Sequence, residues 1–218
     1  MYKRRSPLTR VLRLAFIAVL GAPVFCPAAT PADAKTLFAS CTACHGQRGE
    51  GNAALGAPAI AGMQDWYLKS QLEAFALGRR GYKAGDTYGV QMRAAVKTLP
   101  SAAERAAVAA YIARLPPVKP AAGKTADRAA LANGSTQFNA LCSSCHGSNG
   151  LGNQALGAPR LAGQNSAYLA RQLAAFRKDQ PGGIATDKRG KQIAVMSKLL
   201  TASKAEQNTL AYIATLKP

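Results

Sequence analysis

Apolar residues return every three to four positions in two stretches of the chain, at Leu68, Leu72 and Phe75 and again at Leu169, Leu173 and Phe176, with polar residues between them. That period marks a helix with one buried face, and it predicts helices from Asp65 to about Gly78 and from Ser166 to about Lys178. Start and stop signals predict four more. An opening helix runs from about Pro31, with Thr30 as its cap, to Cys44, and a counterpart runs from about Asp127 to Cys145. Closing helices run Ser101–Leu115 and Ser203–Leu216 and share Tyr-Ile-Ala at 111–113 and 212–214. The intervals Arg79–Gln91 and Asp179–Ala194 are polar and glycine-bearing, which predicts irregular segments ahead of two methionines, Met92 and Met196. No run alternates apolar with polar as a half-buried strand does, so the expected fold class is all-α.

Every one of these parts occurs twice. From Cys41 to Leu77 against Cys142 to Lys178, 20 of 37 positions are identical, which makes the two halves copies of one fold rather than unrelated domains. Between them, Pro116-Pro117-Val118-Lys119-Pro120 and Ala121-Ala122-Gly123-Lys124 have the composition of a semi-rigid linker. The expected division is an export signal over 1–29, one domain over 30–115, a linker over 116–125 and a second domain over 126–218. Each domain is short of a deep core at that size.

The first residues place basic Lys3, Arg4, Arg5, Arg10 and Arg13 ahead of an apolar run from Leu14 to Phe25, followed by small residues. This is the layout of a secretory signal, with cleavage favoured after Ala28 or Ala29 and a further site after Ala34. An uncleaved amphipathic anchor is the competing reading. Cys26 goes with the signal; Phe25 is a poor residue ahead of a lipidated cysteine. Of 28 Lys/Arg and 10 Asp/Glu, the remainder of the chain keeps 23 and 10, a balance of +13. The second half carries +7 against +4 for the first, with Arg177, Lys178, Lys188, Arg189 and Lys191 close together. Such a face speeds encounter with an acidic partner or an anionic membrane surface, and it equally serves as a solvated surface. Export argues against nucleic acid as a partner.

The chemistry lies in two copies of one motif, Cys41-Thr42-Ala43-Cys44-His45 and Cys142-Ser143-Ser144-Cys145-His146. Cys-x-x-Cys-His places two thiols where they add to a haem's two vinyl groups and a histidine where it ligates the iron. Other readings of the motif are a thioredoxin-like redox pair, half a zinc site, or chance. A zinc site needs only the cysteines and histidines, and a redox pair belongs beside a βαβ pattern absent here, so neither accounts for the repetition of the surrounding loop. The expected cofactors are two covalently bound haem c groups, attached through Cys41, Cys44, Cys142 and Cys145. His45 and His146 are the only histidines, so no imidazole of this chain remains for the far side of either iron. Outside the signal the methionines are Met63, Met92 and Met196. Met63 aligns with Gln164 and reads as packing, while Met92 and Met196 follow their histidines by 47 and 50 residues. The pair is the expected set of distal iron ligands, although a methionine in that place is otherwise a core residue. A thioether favours Fe(II) and raises the potential, and a six-coordinate iron has no open position for catalysis.

With these residues in place, the chain resembles the class I c-type cytochromes twice over, and most closely the dihaem cytochrome c4 family, over nearly all of residues 30–218. The resemblance implies two tandem cytochrome c domains in which first and last helices cross, a middle helix packs beside the haem, and a late methionine caps the iron. Leu37 and Phe138, four positions before each first cysteine, match the family pattern, as do Tyr111 and Tyr212. Gly134 stands where the family has a small residue at the helix crossing, whereas the first half has Asp33 there. The resemblance also implies that the carbonyls of Pro58 and Pro159 accept the Nδ1 protons of His45 and His146. Tyr67 and Tyr168, on the middle helices, are candidates to reach a haem propionate, with packing as the alternative.

The expected function is a periplasmic electron carrier, not an enzyme, passing single electrons from a quinol-oxidising complex to a terminal oxidase, both of them membrane respiratory complexes. The alternative is a dihaem subunit of a periplasmic dehydrogenase, such as a flavoprotein that oxidises sulfide. A haem peroxidase or gas-binding protein is the reading from a different class.

Overall fold

The computed structural model describes residues 31–118, 126–178, 188–200 and 203–218. The expected export signal with Cys26, the Thr30 cap, most of the linker and the stretch 179–187 lie outside the described residues.

Ten helices are present among the described residues: α1 Pro31–Ala39, α2 Thr42–His45, α3 Asp65–Ala76, α4 Thr87–Val96, α5 Ala102–Arg114, α6 Arg128–Leu141, α7 Ser143–His146, α8 Ser166–Arg177, α9 Lys188–Leu199 and α10 Ser203–Thr215. No strand accompanies them there, only the isolated bridges Asn52–Ala57 and Asn153–Ala158. No helix among the described residues is long and apolar enough to cross a membrane. The starts are encoded locally. Ser101 and Glu104 form a reciprocal capping box on α5, and Asp127 accepts the Ala130 N–H at 2.7 Å to open α6. At the other end of α5, Leu115 turns extended ahead of Pro116 and Pro117, which cannot continue a helix.

Two expectations are corrected. The opening helices do not run unbroken into the motifs: α1 stops at Ala39 and α6 at Leu141, and a separate turn of helix, α2 or α7, carries each histidine. The intervals expected to be irregular give way to helix at Thr87 and Lys188, where α4 and α9 begin, and both helices run on past the methionines. Apolar residues stand on their outer faces too, Tyr88 and Val90 on α4 and Val195 and Leu199 on α9, and only a narrow stripe turns inward, so their period was weak. For α4 the start signal is one cap, Asp86, accepting the Gly89 N–H at 3.0 Å.

Each half crosses its first helix over its last, α1 on α5 and α6 on α10, and packs its middle helix alongside. The crossings are sealed by ring pairs, Phe38 on Tyr111 and Phe138 on Tyr212, both at 5.5 Å between centroids. Phe38, not Leu37, is therefore the counterpart of Phe138. The reason is a tightened turn: Cys41 N–H bonds to the carbonyl three residues back, at Phe38, while Cys142 N–H bonds four residues back, at Phe138. That one-residue difference also moves the crossing. A Cβ on Gly134 would stand 2.0 Å from the Asn208 carbonyl oxygen, so only glycine fits there. Shifted by one, its partner in the first half is Ala34, 2% exposed, rather than Asp33.

Among the described residues the first half encloses Phe38, Met63, Leu68, Leu72, Phe75, Val96, Leu99, Val108 and Ile112, and the second a smaller set around Phe138, Leu169, Leu210 and Ile213. Cores of this size suit domains that complete themselves around a bound group.

Candidate haem-attachment sites

The break between α1 and α2 presents both thiols and the imidazole from one turn. His45 N–H bonds to the Cys41 carbonyl at 2.9 Å, and His146 N–H to the Cys142 carbonyl at 2.9 Å. Cys41 and Cys142 are half-buried against the cores, while Cys44 and Cys145 are exposed, and all four are free. The loop that follows folds back on itself: Asn52 and Ala57 exchange both backbone hydrogen bonds, and the Asn52 carboxamide accepts the Ala54 N–H at 3.0 Å. Asn153, Ala158 and Ala155 repeat this. Gly51 makes the return possible, with φ +83° and a position where a Cβ would lie 2.6 Å from the Ala59 nitrogen.

The loop thereby brings a proline carbonyl beneath each ring. His45 Nδ1–H donates to the Pro58 carbonyl at 3.0 Å and His146 Nδ1–H to that of Pro159 at 2.7 Å. A carbonyl only accepts, so the proton sits on Nδ1 and the Nε2 lone pair is fixed for a metal. Both rings are 8% exposed, and burial holds their pKa values below the ordinary imidazole range, with the proline bonds opposing it weakly. They are neutral imidazoles at pH 7, the form able to bind a metal.

These residues fit haem and not the competing groups. Among the described residues no cluster of three or more His, Cys, Asp or Glu side chains stands close enough to hold a metal by itself. The thiols are not the acidified pair of a redox enzyme: burial raises Cys41, and burial with Cys145 nearby pushes Cys142 up to about 11. Arg160 is buried, and its Nε–H has no partner among the described residues, a donor suited to the carboxylate-bearing edge of a haem.

The two methionines are not placed alike. Residues 87–99 and 188–200 match at a constant offset of 101: Gly89 with Gly190, Val96 with Ser197 and Leu99 with Leu200 are buried pairs. In that frame half-buried Met92, which packs on the first core, pairs with half-buried Ile193. Met196 is half-buried on the same face as Ile193, nearly one turn further along α9, where the first half has exposed Ala95.

The halves meet along a polar seam that sequence reasoning did not foresee. The Gln164 carboxamide accepts the Ala59 N–H at 2.9 Å and donates to the Ala59 carbonyl at 2.8 Å. Gln64 answers from the first half, donating to the Leu151 carbonyl at 2.7 Å and accepting the Arg160 N–H at 3.2 Å. Arg160 Nη2 donates to the Ala61 carbonyl at 2.9 Å, and Arg171 reaches the Gly56 carbonyl at 2.7 Å while lying 4.7 Å over the Tyr88 ring. Arg80 bridges Gln71 and Gln172, and the buried Tyr67 phenol bonds to Tyr168. Desolvation, then Tyr168, raises the Tyr67 pKa far above the ordinary phenol value, so it stays protonated. The available signal was departure from the repeat: Arg160 and Gln164 stand where the first half has apolar Ala59 and Met63.

Comparison with known proteins agrees with this geometry. The family model for cytochrome c matches residues 31–116 and again 131–217. A thiosulfate dehydrogenase electron acceptor from Thiomonas intermedia (strain K12) is 36% identical over 184 residues, 81% of this chain and 79% of its own length. Cytochrome c4 from Stutzerimonas stutzeri is 31% identical over 178 residues, 76% of this chain and 81% of its own. Among solved structures, reduced cytochrome c4 from Pseudomonas stutzeri superposes with a TM-score of 0.67 at 29% identity, over 87% of this chain and all of the other. A thiosulfate dehydrogenase from Marichromatium purpuratum reaches 0.66 at 29% identity, over 85% of this chain and 40% of that one. The chain thus belongs to the cytochrome c family, among its dihaem cytochrome c4 members, and is an electron-transfer protein rather than an enzyme, with one haem c covalently attached to each half.

Proposed function

We propose that this protein is a periplasmic shuttle that passes single electrons from a quinol-oxidising complex to a terminal oxidase, with His45 and Met92 ligating one iron and His146 and Met196 the other. The domains run 30–115 and 126–218, after a signal over 1–29 and about a linker over 116–125. The observation that carries the reading is the pair of proline-held histidines, each presenting Nε2 beside two free thiols. Haem supplies the one-electron Fe(III)/Fe(II) couple. The chain's part is to keep the surroundings of the couple constant. The Pro58 and Pro159 carbonyls fix ring orientation and basicity, and the Met92 and Met196 thioethers, as iron ligands, would stabilise the reduced form. Buried Arg160, with half-buried Arg80 and Arg171 along the same seam, adds positive charge that no carboxylate among the described residues pairs there, which favours reduction of both centres. The paired glutamines hold the halves in one relation, so that an electron entering one finds the other at a constant distance.

A second reading has its own support. The relatives named above include an electron acceptor of thiosulfate dehydrogenase, so the donor of this chain is alternatively a periplasmic dehydrogenase that oxidises an inorganic sulfur compound. The discriminating experiment is stopped-flow reduction of the oxidised holoprotein, by membranes supplied with quinol in one arm and by purified thiosulfate dehydrogenase with thiosulfate in the other. Fast reduction by membranes alone upholds the respiratory shuttle. Fast reduction by the dehydrogenase alone replaces it with the sulfur reading, and no reduction in either arm removes both donors.

A further inference from the structure

The two distal ligand segments have the same backbone frame but not the same sulfur position. Helices α4 and α9 begin at residues 87 and 188, and along 87–99 and 188–200 their pattern of buried and exposed positions differs at only two places: exposed Arg93 against buried Ala194, and exposed Ala95 against half-buried Met196. The common frame is pinned at its far end by an arginine in each half. Arg105 Nη1 donates to the Leu99 carbonyl at 2.8 Å, and Arg177 Nη2 to the Leu200 carbonyl at 3.0 Å. These arginines come from different helices, α5 and α8, and each is paired with a carboxylate of its own half, Arg105 with Glu73 on α3 and Arg177 with Glu206 on α10. Arg177 Nε also holds the Ser197 carbonyl at 2.8 Å, on the residue that directly follows Met196.

In this frame the side chain at the place of Met92 is that of Ile193, which has no atom able to bind iron. Met196 lies three residues on, about 4.5 Å further along the helix axis. Bringing its sulfur to the position held by Met92 requires α9 to slide or unwind by most of a turn, against a segment whose Ser197 and Leu200 carbonyls are both bonded to a half-buried, ion-paired arginine. The iron bond and the arginine clamp therefore compete in the second half, and they do not in the first.

Resting on the reading that methionines cap both irons, we propose that the second cap is a labile one: the haem joined to Cys142 and Cys145, and not the one joined to Cys41 and Cys44, opens to take small uncharged ligands of the carbon monoxide kind. Such ligands need a vacant sixth position on Fe(II) and little room, which departure of the Met196 sulfur supplies beside the apolar Ile193 side chain.

The experiment is a carbon monoxide titration of the dithionite-reduced holoprotein, followed in the Soret region and quantified per haem. The expected result is one carbon monoxide bound per two haems in the native protein. The double variant Ile193→Met, Met196→Ala, which moves the donor to the place equivalent to Met92, should bind none and keep both far-red sulfur-to-iron bands when oxidised. Met92→Leu should raise the native stoichiometry from one to two. A native protein that binds none refutes the labile cap and leaves the two-capped carrier standing. One that binds two refutes the carrier reading itself. If the double variant keeps its far-red bands yet still binds one, ligand entry does not depend on the α9 register and the inference falls.

Discussion

Replacing Gln164 by methionine, its counterpart in the first half, tests whether the polar seam makes the two halves one cooperative body. The Gln164 carboxamide spans both backbone groups of Ala59, at 2.9 and 2.8 Å, and both residues are nearly closed to water, at 7% and 4% exposure. Methionine has similar length and fills the space, so the cavity term is small. Left behind are the Ala59 N–H and carbonyl, which neither protein nor bulk water satisfies, and the part-buried Asn165 N–H, which also donates to the Gln164 carboxamide at 2.9 Å. Each such group costs about 1–3 kcal/mol, partly offset by burying a thioether, for a net loss of about 2–4 kcal/mol. At roughly 2–4 °C per kcal/mol for a chain of this size, the unfolding midpoint should fall by about 5–15 °C. Scanning calorimetry of the oxidised holoprotein reads this directly, with the exposed substitution Gln154→Met as control. The native endotherm should be one transition, and the variant should melt earlier with the halves separating into two. A variant that melts within about 1 °C of native, still in one transition, would refute the seam as an energetic link.

Two further outcomes follow from the packing and the titrating groups. Gly134→Ala sets a methyl group 2.0 Å from the Asn208 carbonyl and 3.0 Å from the Tyr212 Cβ, so the α6–α10 crossing must open at a cost of about 1–3 kcal/mol, seen as a lower denaturant midpoint, while Ala34→Gly at the other crossing should cost less than 1.5 kcal/mol. Burial holds His45 and His146 below the unfolded value of 6.5, so the folded chain refuses protons that the unfolded chain accepts; that stability is fully present above pH 6.5 and is lost as pH falls towards the folded values, an effect iron bonding at Nε2 enlarges. Denaturant midpoints from pH 8 to 5 should decline below about 6.5, and a profile that rises on acidification contradicts it.

The attachment sites were legible because covalent chemistry demands a contiguous motif: Cys41, Cys44 and His45, with their copies, need no tertiary information to be found. The helix pairs around them were legible from period and caps. What escaped was whatever depends on register across the repeat. One residue fewer ahead of Cys41 moves Phe38 and Ala34 into the places expected for Leu37 and Asp33, and a spacing count does not reveal which side of the motif absorbs the deletion. Spacing also made Met92 and Met196 look equivalent at 47 and 50 residues, whereas burial aligns Met92 with Ile193. The seam escaped for another reason: Gln164 bonds to backbone, and backbone partners carry no sequence signature. Its only trace was a polar residue where the other copy has an apolar one.

The most direct test of the account is a potentiometric titration of the holoprotein, followed at once in the reduced α band and in the far-red sulfur-to-iron band of the oxidised form. Two capped electron-transfer centres predict two one-electron steps per chain at positive potentials, with the far-red band disappearing in proportion to both. A high-spin oxidised spectrum with no far-red band at either step would contradict it.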